Sequence, residues 1–325
     1  MATRDPVPPS HRTTAAPAPA FCADRAACPV CDAVSTDQSV LFTKQLATFV
    51  ECRRYGFVFI NPRPSAAWLA ERYDYYGDAY FTARTKLASD FNAARHQFEL
   101  TVLRSATGKL LDVGCATGSF VAAARAAGFD AHGIDVSFEA TRYGREVLAL
   151  PLEGGDLYER RYSSETFDVV TLWATLEHLV DPNRFLSEAH RLLVSGGRLA
   201  LSVPNHGSLT QKLLGRRNRY VGIDHVNYFT AATLRRMLGR HGFSTVTLRT
   251  GRFSPVVFWQ DLTRGGPEGA SLERQLADQL VTDRFKYRGG VFAAARVGHT
   301  MLTNALGAIG LGNMLYVVAL KAVAR

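Results

Sequence analysis

The stretch that decides the fold is Leu111-Asp-Val-Gly-Cys-Ala-Thr-Gly-Ser-Phe120. It has the pattern of an apolar strand end, a turn of small residues and the start of a helix. Small residues let the backbone approach a ligand closely, and a helix N-terminus offers N–H groups that the helix itself does not use. A dinucleotide fingerprint would need glycine at positions 114, 116 and 119, and only Gly114 matches. The stretch therefore predicts a nucleotide-binding turn of another type.

Strands and helices alternate on either side of this turn. The pattern predicts strands over 109–113, 131–136, 167–173 and 198–203, and helices over 119–127, 138–148 and 182–193. A helix over 230–241 and strands over 243–249 and 314–320 follow. Strands separated by single amphipathic helices favour a parallel sheet covered on both faces, with right-handed crossovers. We therefore predict a doubly wound α/β fold.

Composition narrows the class of protein. The chain has 325 residues, of which 47% are hydrophobic and 21% charged, which excludes collagen-like, coiled-coil and wholly disordered chains. A net charge of +9 favours anionic partners without choosing among them. The segment 297–320 lacks charged residues, but a Gly-Leu-Gly-Asn cluster at 310–313 divides it. We predict a helix, a turn and a buried strand there, and no transmembrane helix.

Further segments continue the pattern begun at residue 111. They are Gly133-Ile-Asp-Val-Ser137, Gly154-Gly-Asp-Leu157, Phe167 to Pro182, and Leu192 to Asn205 with its Gly-Gly turn. In this order they resemble the motifs of class I S-adenosylmethionine (SAM)-dependent methyltransferases, in the type 11/12/23 branch. The resemblance covers about residues 100–250 and implies a seven-stranded Rossmann-like sheet. It also implies SAM as the cofactor and methyl transfer by in-line displacement.

The resemblance also implies where the cofactor binds. Small residues at alternate positions would line the turn, and the Asp135 carboxylate would accept both ribose hydroxyls. Asp156 would accept from the adenine amino group and Leu157 would pack on the ring, although an aspartate that serves only its own turn is the alternative. Tyr80 would cover the methionine end. The predicted contacts are Tyr80, Asp112, Gly114, Cys115, Ala116, Gly118, Asp135, Val136, Asp156, Leu157 and Trp173.

Three residues are candidates for the chemistry. His178 follows the fourth strand, at the carboxyl edge of the sheet where open α/β folds bind ligands. In the family, a His-x-x-Tyr-Phe segment faces the acceptor pocket, which makes His225 and Tyr228 candidates for orienting or deprotonating an acceptor hydroxyl. The alternatives are a histidine that bonds only backbone and aromatic rings that only pack. A metal is not favoured, because Ala174 replaces the first glutamate of the Glu-x-x-Glu-His pattern of metal-dependent relatives.

A cysteine module precedes the α/β domain. Cys28-Pro-Val-Cys31 and Cys52 match the frame of a zinc ribbon, but Tyr55 stands where the fourth cysteine belongs. Either Cys22 supplies the fourth thiolate, or three cysteines and a water hold the metal, or the module folds without one. Any zinc would be structural. Because few cysteines occur elsewhere, metal is favoured over disulfides.

The sequence predicts four regions. Residues 1–20, rich in Pro and Ala and without an apolar signal core, form a disordered arm, and we expect a cytoplasmic protein. Residues 21–64 form the zinc-ribbon-like module and 65–105 a helical linker that covers the cofactor. Residues 106–325 form the methyltransferase domain, with acceptor-side insertions at 205–229 and 251–312.

The acceptor is the open question. We expect a small-molecule or glycosidic acceptor, methylated on oxygen, such as a sugar, polyketide, lipid or cell-surface glycan intermediate. The basic stretch Lys212, Arg216, Arg217 and Arg219 favours an anionic acceptor, unless it is simply a solvated face. Alternatives are an rRNA or tRNA methyltransferase that uses the module to bind RNA, and a non-catalytic SAM-fold binding protein. RNA is disfavoured because Leu172-Trp-Ala-Thr175 stands where nucleic-acid N-methyltransferases have Asn-Pro-Pro-Tyr.

Overall fold

The structure, a computed structural model, describes residues 18–69, 71, 87, 90–91, 96–103, 106–264 and 293–322. Most of the predicted arm, most of the predicted linker and Tyr80 lie outside these residues. The strands are β1 (Gln38–Lys44), β2 (Ala47–Cys52), β3 (Val58–Ile60), β4 (Lys109–Val113), β5 (Asp130–Asp135), β6 (Leu152–Gly154), β7 (Phe167–Trp173), β8 (Leu193–Pro204), β9 (Asn227–Tyr228), β10 (Phe243–Gly251) and β11 (Met314–Lys321). The helices are α1 (Gln97–Val102), α2 (Ser119–Ala126), α3 (Phe138–Glu146), α4 (Pro182–Leu192), α5 (Leu209–Leu214), α6 (Ala231–Arg240), α7 (Pro255–Arg264) and α8 (Ala293–Ala308).

Seven strands form the main sheet, in the order β10-β11-β8-β7-β4-β5-β6. The pairs among β4 to β8 are parallel, whereas β11 runs antiparallel between β8 and β10. The chain starts in the middle of the sheet at β4, moves outward to β6, and returns to β7. This topology confirms the predicted doubly wound, seven-stranded sheet, and it places a switch point at the carboxyl ends of β4 and β7.

Local sequence explains the central elements. In β7, five of seven side chains are buried, as expected for a parallel strand covered on both faces. Helix α4 begins where Asp181 accepts a hydrogen bond from the Arg184 N–H and Pro182 occupies the first turn. The predicted Gly-Gly turn before β8 is different in the structure. Residues 195–197 lie within β8, where a left-handed Gly196 accompanies a shift in the β7–β8 register.

A second sheet joins the N-terminal module to the rest of the chain. Its order is β1-β2-β3-β9, and β9 comes from the predicted acceptor-side segment 205–229. Val58 pairs with Tyr228, and Phe59 pairs with Asn227. The buried core is continuous across this junction, because Cys28 and Phe57 belong to the same cluster as Phe229. The N-terminal module and the main sheet therefore share one buried core.

The uncharged C-terminal segment forms α8, a turn and the buried strand β11, as predicted. Among the described residues, no helix is both long and apolar enough to cross a membrane.

Candidate active site

The glycine turn lies between β4 and α2. Gly114 and Gly118 adopt left-handed conformations, with φ of 78° and 85°, and Ala116 has φ of 49°. A Cβ on Gly114 would collide with the Thr175 hydroxyl, and one on Gly118 would lie 2.9 Å from Leu150 Cδ1. Close packing therefore requires glycine at both positions. It also brings the segment that follows β7 against the turn.

Asp135 ties the end of β5 to this turn. One carboxylate oxygen accepts from the Ala116 N–H at 2.8 Å, and the other accepts from the Ser137 N–H at 2.8 Å. Ser137 itself caps α3, accepting from the Ala140 N–H. Burial raises the pKa of Asp135, while the two N–H groups act in the opposite direction. A carboxylate has about four acceptor positions, so two remain for a pair of hydroxyls.

Asp112 and Cys115 support the turn from within. Asp112 is 2% exposed and accepts from the Thr171 hydroxyl at 2.7 Å; burial raises its pKa to about 8. The Cys115 thiol is buried in the core beside α2, and its N–H donates to the Ile134 carbonyl. Both side chains therefore have structural contacts: the Asp112 carboxylate bonds Thr171, and the Cys115 thiol packs in the core. Neither side chain is directed at a ligand, which differs from the predicted role of these residues as cofactor contacts.

Asp156, Leu157 and Val136 stand at the predicted adenine side. Asp156 is exposed, and its carboxylate accepts from the Tyr158 N–H at 2.8 Å, which is the turn role that the sequence left open. Leu157 belongs to the core, with 6% exposure. Val136 is exposed, and so is Phe138, whose ring approaches Gly154 and Gly155. Sequence reasoning missed Phe138; its signal was an aromatic residue directly after the helix cap.

Trp173 ends β7 next to the turn. Its ring packs edge-on against Phe120, with centroids 5.1 Å apart. Within the described part of the chain, its buried indole N–H has no hydrogen-bond partner. An unsatisfied buried donor is costly, so this N–H is suited to a ligand acceptor atom.

A histidine pair lies beyond Trp173. His178 ends a short 3-10 turn, Leu176–His178, and its Nδ1 lies 2.7 Å from the Asp224 carbonyl oxygen. The His178 and His225 rings meet edge to face at 4.6 Å. Glu177 Oε1 lies 3.9 Å from His178 Nε2. The potential metal-ligand atoms of these three residues are all within 4.8 Å of one another.

Burial sets the charge of this cluster. It lowers the pKa of His178 and lowers that of His225 further, with His178 as a second cause for His225. It raises the pKa of Glu177 to about 8. Because Nδ1 of His178 donates to a carbonyl, the neutral ring carries its lone pair on Nε2. The cluster is therefore uncharged near neutral pH and offers a base.

Tyr228 has a packing position. It is 5% exposed, its hydroxyl donates to the Gly222 carbonyl at 2.8 Å, and its ring packs against Phe49. Burial raises the pKa of the hydroxyl. The loop uses this hydroxyl, so the predicted catalytic role of Tyr228 has no support in the geometry.

The structure brings three of the four predicted zinc ligands together. The thiols of Cys28, Cys31 and Cys52 lie within 4.8 Å of one another, with Cys31 and Cys52 sulfurs 3.6 Å apart. Burial raises the pKa of Cys28 to about 12. Burial also acts to raise the pKa of Cys52, but hydrogen bonds from the backbone N–H groups of Arg54 and Tyr55 act to lower it, and the net shift is downward.

Neither Cys22 nor Tyr55 joins the cluster of three thiols in this structure. Cys22 is exposed and outside the cluster, where its N–H donates to the Arg63 carbonyl. The Tyr55 ring is 42% exposed and lies 3.8 Å from the Arg236 guanidinium. Of the alternatives that the sequence left open, a fourth thiolate from Cys22 is not supported by this geometry, because an isolated bridge to Pro64 holds the preceding residue, Phe21.

Comparisons with known proteins show which family the domain belongs to. A family profile described as a methyltransferase domain matches residues 83–248, just over half of the chain. The chain is 28% identical over 162 residues to the ubiquinone biosynthesis O-methyltransferase of Thiobacillus denitrificans, a match that covers 46% of this chain and 69% of that protein. It is 34% identical over 122 residues to the protein of the same name from Methylococcus capsulatus, covering 35% of this chain and 51% of the relative.

The fold also matches a solved structure. A SAM-dependent methyltransferase from Thermotoga maritima superposes with a TM-score of 0.50 over 77% of this chain and 98% of its own, at 16% identity. At this identity the likeness concerns the fold alone.

Proposed function

The chain belongs to the methyltransferase-domain family and is a SAM-dependent methyltransferase; we propose that it methylates a hydroxyl oxygen of a small-molecule acceptor, with His178 as the general base. The observation that carries the proposal is the position of His178. Its turn follows Thr175, which packs against Gly114 of the glycine turn. A base at the carboxyl edge of β7 therefore lies beside the place where the cofactor binds.

The chain's own residues fit the cofactor. The left-handed turn at 114–118 has only small side chains, and the Asp135 carboxylate can accept further hydrogen bonds. The buried Trp173 indole N–H has no acceptor within the described residues. Val136 and Phe138 offer an apolar wall for a base ring. When bound, SAM supplies an electrophilic methyl group on its sulfonium. The protein contributes alignment, which is worth ~7–11 kcal/mol of the barrier in well-oriented reactions.

His178 contributes the proton transfer. Its Nδ1–H is held by the Asp224 carbonyl, which fixes the ring and leaves Nε2 as the basic nitrogen. His225 packs edge-on against the ring and restricts its rotation. An acceptor hydroxyl at Nε2 gives up its proton there as the oxygen attacks the methyl carbon. The names of the two curated relatives support an oxygen acceptor.

The test is a product assay. The full chain is incubated with SAM and panels of phenolic, glycosidic and phosphorylated hydroxyl compounds, and formation of S-adenosylhomocysteine and of a methylated product is followed by mass spectrometry. Each assay is repeated with EDTA, because Glu177, His178 and His225 could hold a cation. Activity that survives EDTA supports the base. Activity lost to EDTA and restored by a divalent cation would replace it with a metal site. Methylation confined to RNA would refute the proposal.

We also propose that Cys28, Cys31 and Cys52 hold a structural zinc ion, with a fourth ligand from outside this set of cysteines. Three converging thiols, with N–H groups directed at two of them, match the donor chemistry of such sites. Metal analysis of the purified chain tests this. We expect about one zinc per chain in the wild type and in Cys22→Ser, and loss of zinc in Cys31→Ser. Equal zinc in both variants, or none in the wild type, would contradict the proposal.

A further inference from the structure

From residue 297 onward, where the structure describes its side chains, helix α8 exposes a face that carries no charge. The exposed side chains of its described part include Val297 (61%), Met301 (67%) and Leu302 (43%), and Ile309 follows at 68%. The opposite side packs on the molecule: Leu306 is 7% exposed, and His299 Nε2 lies 2.6 Å from the Phe253 carbonyl oxygen. A helix face in contact with water alone normally carries charged residues. An uncharged exposed face therefore indicates that something covers it.

Helix α7 begins two residues after Phe253, and its buried Asp261 forms an ion pair with Arg219 at 2.8 Å. Trp259 lies two residues before Asp261, about half a helical turn away, and its side chain is 64% exposed. Trp is the residue most often found where an apolar phase meets water.

Exposed cations lie on and just after a third helix, α5. Helix α5 contacts α7, and its Leu209 N–H donates to the Leu311 carbonyl, two residues beyond Ile309. On and just after α5, Lys212, Arg216 and Arg217 are exposed beside Leu213, which is 62% exposed. In the described part of the chain none of these three cations has an acidic partner.

We propose that these three helices dock on an anionic lipid surface. The docking surface is defined by Leu213, Trp259, Val297, Met301, Leu302 and Ile309, with Lys212, Arg216 and Arg217 at its edge. Apolar and aromatic side chains beside unpaired cations suit a bilayer interface with anionic headgroups. A second copy of the chain is a poorer occupant, because a two-fold contact would bring the same cations toward each other. The inference does not depend on the acceptor's chemistry.

Intrinsic fluorescence tests whether the apolar residues of the docking surface contact the lipid. The chain has three tryptophans, and Trp68 and Trp173 are buried or half-buried while Trp259 is exposed. Adding vesicles of phosphatidylcholine with phosphatidylglycerol should shift the emission of the full chain to shorter wavelength. Phosphatidylcholine vesicles alone should give a much smaller shift, and Trp259→Phe should abolish it. No shift with anionic vesicles would overturn the proposal.

Co-sedimentation with the same vesicles tests whether the cations at the edge of the docking surface contribute to binding. Replacing Lys212, Arg216 and Arg217 by serine should weaken binding on the order of 100-fold, at about fivefold per cation, and salt should weaken binding of the wild type. Met301→Ser should also weaken binding, whereas Val40→Ser, an exposed valine on β1, should not. If light scattering shows a dimer that Met301→Ser dissociates, with no vesicle binding, a second copy covers the surface and the proposal is wrong.

Discussion

His178 combines a fixed ring with a lone pair on Nε2. His178→Gln removes the base and leaves a neutral amide in its place, so kcat should fall ~10²–10⁴-fold while cofactor affinity stays unchanged. Because burial lowers the pKa of His178, the wild-type rate should rise with pH along a limb centred below pH 6.5 and then level off. The variant should lack this limb.

Steady-state kinetics across pH measures this directly. His132→Gln is the matched control, since His132 lies in the first half of β5 and its Nε2 is 3.1 Å from the exposed Asp130 carboxylate. A His178→Gln enzyme with the rate and pH profile of the wild type would refute the assignment of the base.

Asp112 gives a second prediction at this scale. Its folded pKa is about 8 and its ordinary value 3.8, so between these values the unfolded chain releases a proton that the folded chain keeps. Stability therefore falls as pH rises through this window, on the order of several kcal/mol from this group. Asp112→Asn keeps an acceptor for Thr171 and should flatten the fall between pH 5 and pH 8 in urea unfolding. An unchanged slope, equal to that of the exposed-site control Asp130→Asn, would contradict the burial argument.

The sequence predicted which residues gather at the site but not which atoms face it. Asp135 and His178 follow strands, and the strand pattern alone placed them at the carboxyl edge. The positions of Cys115, Leu157 and Tyr228 depend on packing partners that lie far away in the chain, such as Phe49 for Tyr228. The sequence did not indicate Phe138 as a candidate contact, because the residue that follows a helix N-cap is usually a solvent-exposed residue without a specific role.

At the scale of elements, the pairing of β3 with β9 links the N-terminal module to the catalytic turn. The Val226 carbonyl accepts from Ile60 N–H and from the buried Arg63 guanidinium at 2.8 Å. The Val226 N–H in turn donates to the Glu177 carbonyl. The module thus supports the turn that carries His178. The sequence could not predict this, because a two-residue strand leaves no periodic pattern.

Arg63→Ala tests this connection. It leaves the Val226 carbonyl short of a donor and opens a buried space, so we expect ~2–4 kcal/mol of destabilisation. KM for the acceptor should rise because the turn loses its support, while S-adenosylhomocysteine affinity should stay near that of the wild type. Denaturant unfolding and kinetics measure both effects. Exposed Arg53→Ala is the control, and an Arg63→Ala enzyme indistinguishable from it would refute the link.

At the scale of the whole molecule, one core spans the cysteine module and the main sheet. Removing the proposed zinc ion should therefore lower the melting temperature of the entire chain, by roughly 5–10 °C for a loss of a few kcal/mol, and not release a separate domain. Calorimetry with and without a chelator should show one transition that shifts. Two transitions, or no shift despite loss of zinc, would contradict a shared core with a structural metal.

Amino-acid composition alone gave little information about the binding partner of the whole molecule. The charge of +9 indicated anionic partners without distinguishing an acceptor, RNA or a lipid surface. The choice depends on where Lys212, Arg216 and Arg217 lie relative to exposed apolar residues, which only the folded chain reveals.

The central claim is that the cofactor binds at the turn clamped by Asp135. Calorimetric titration with S-adenosylhomocysteine tests it most directly, using the wild type, Asp135→Ala and the same-strand control Asp130→Asn. We predict micromolar binding by the wild type and the control, and affinity weakened about tenfold or more in Asp135→Ala, with circular dichroism confirming that all three are folded. Absence of binding by the folded wild type, or equal binding by Asp135→Ala, would contradict it.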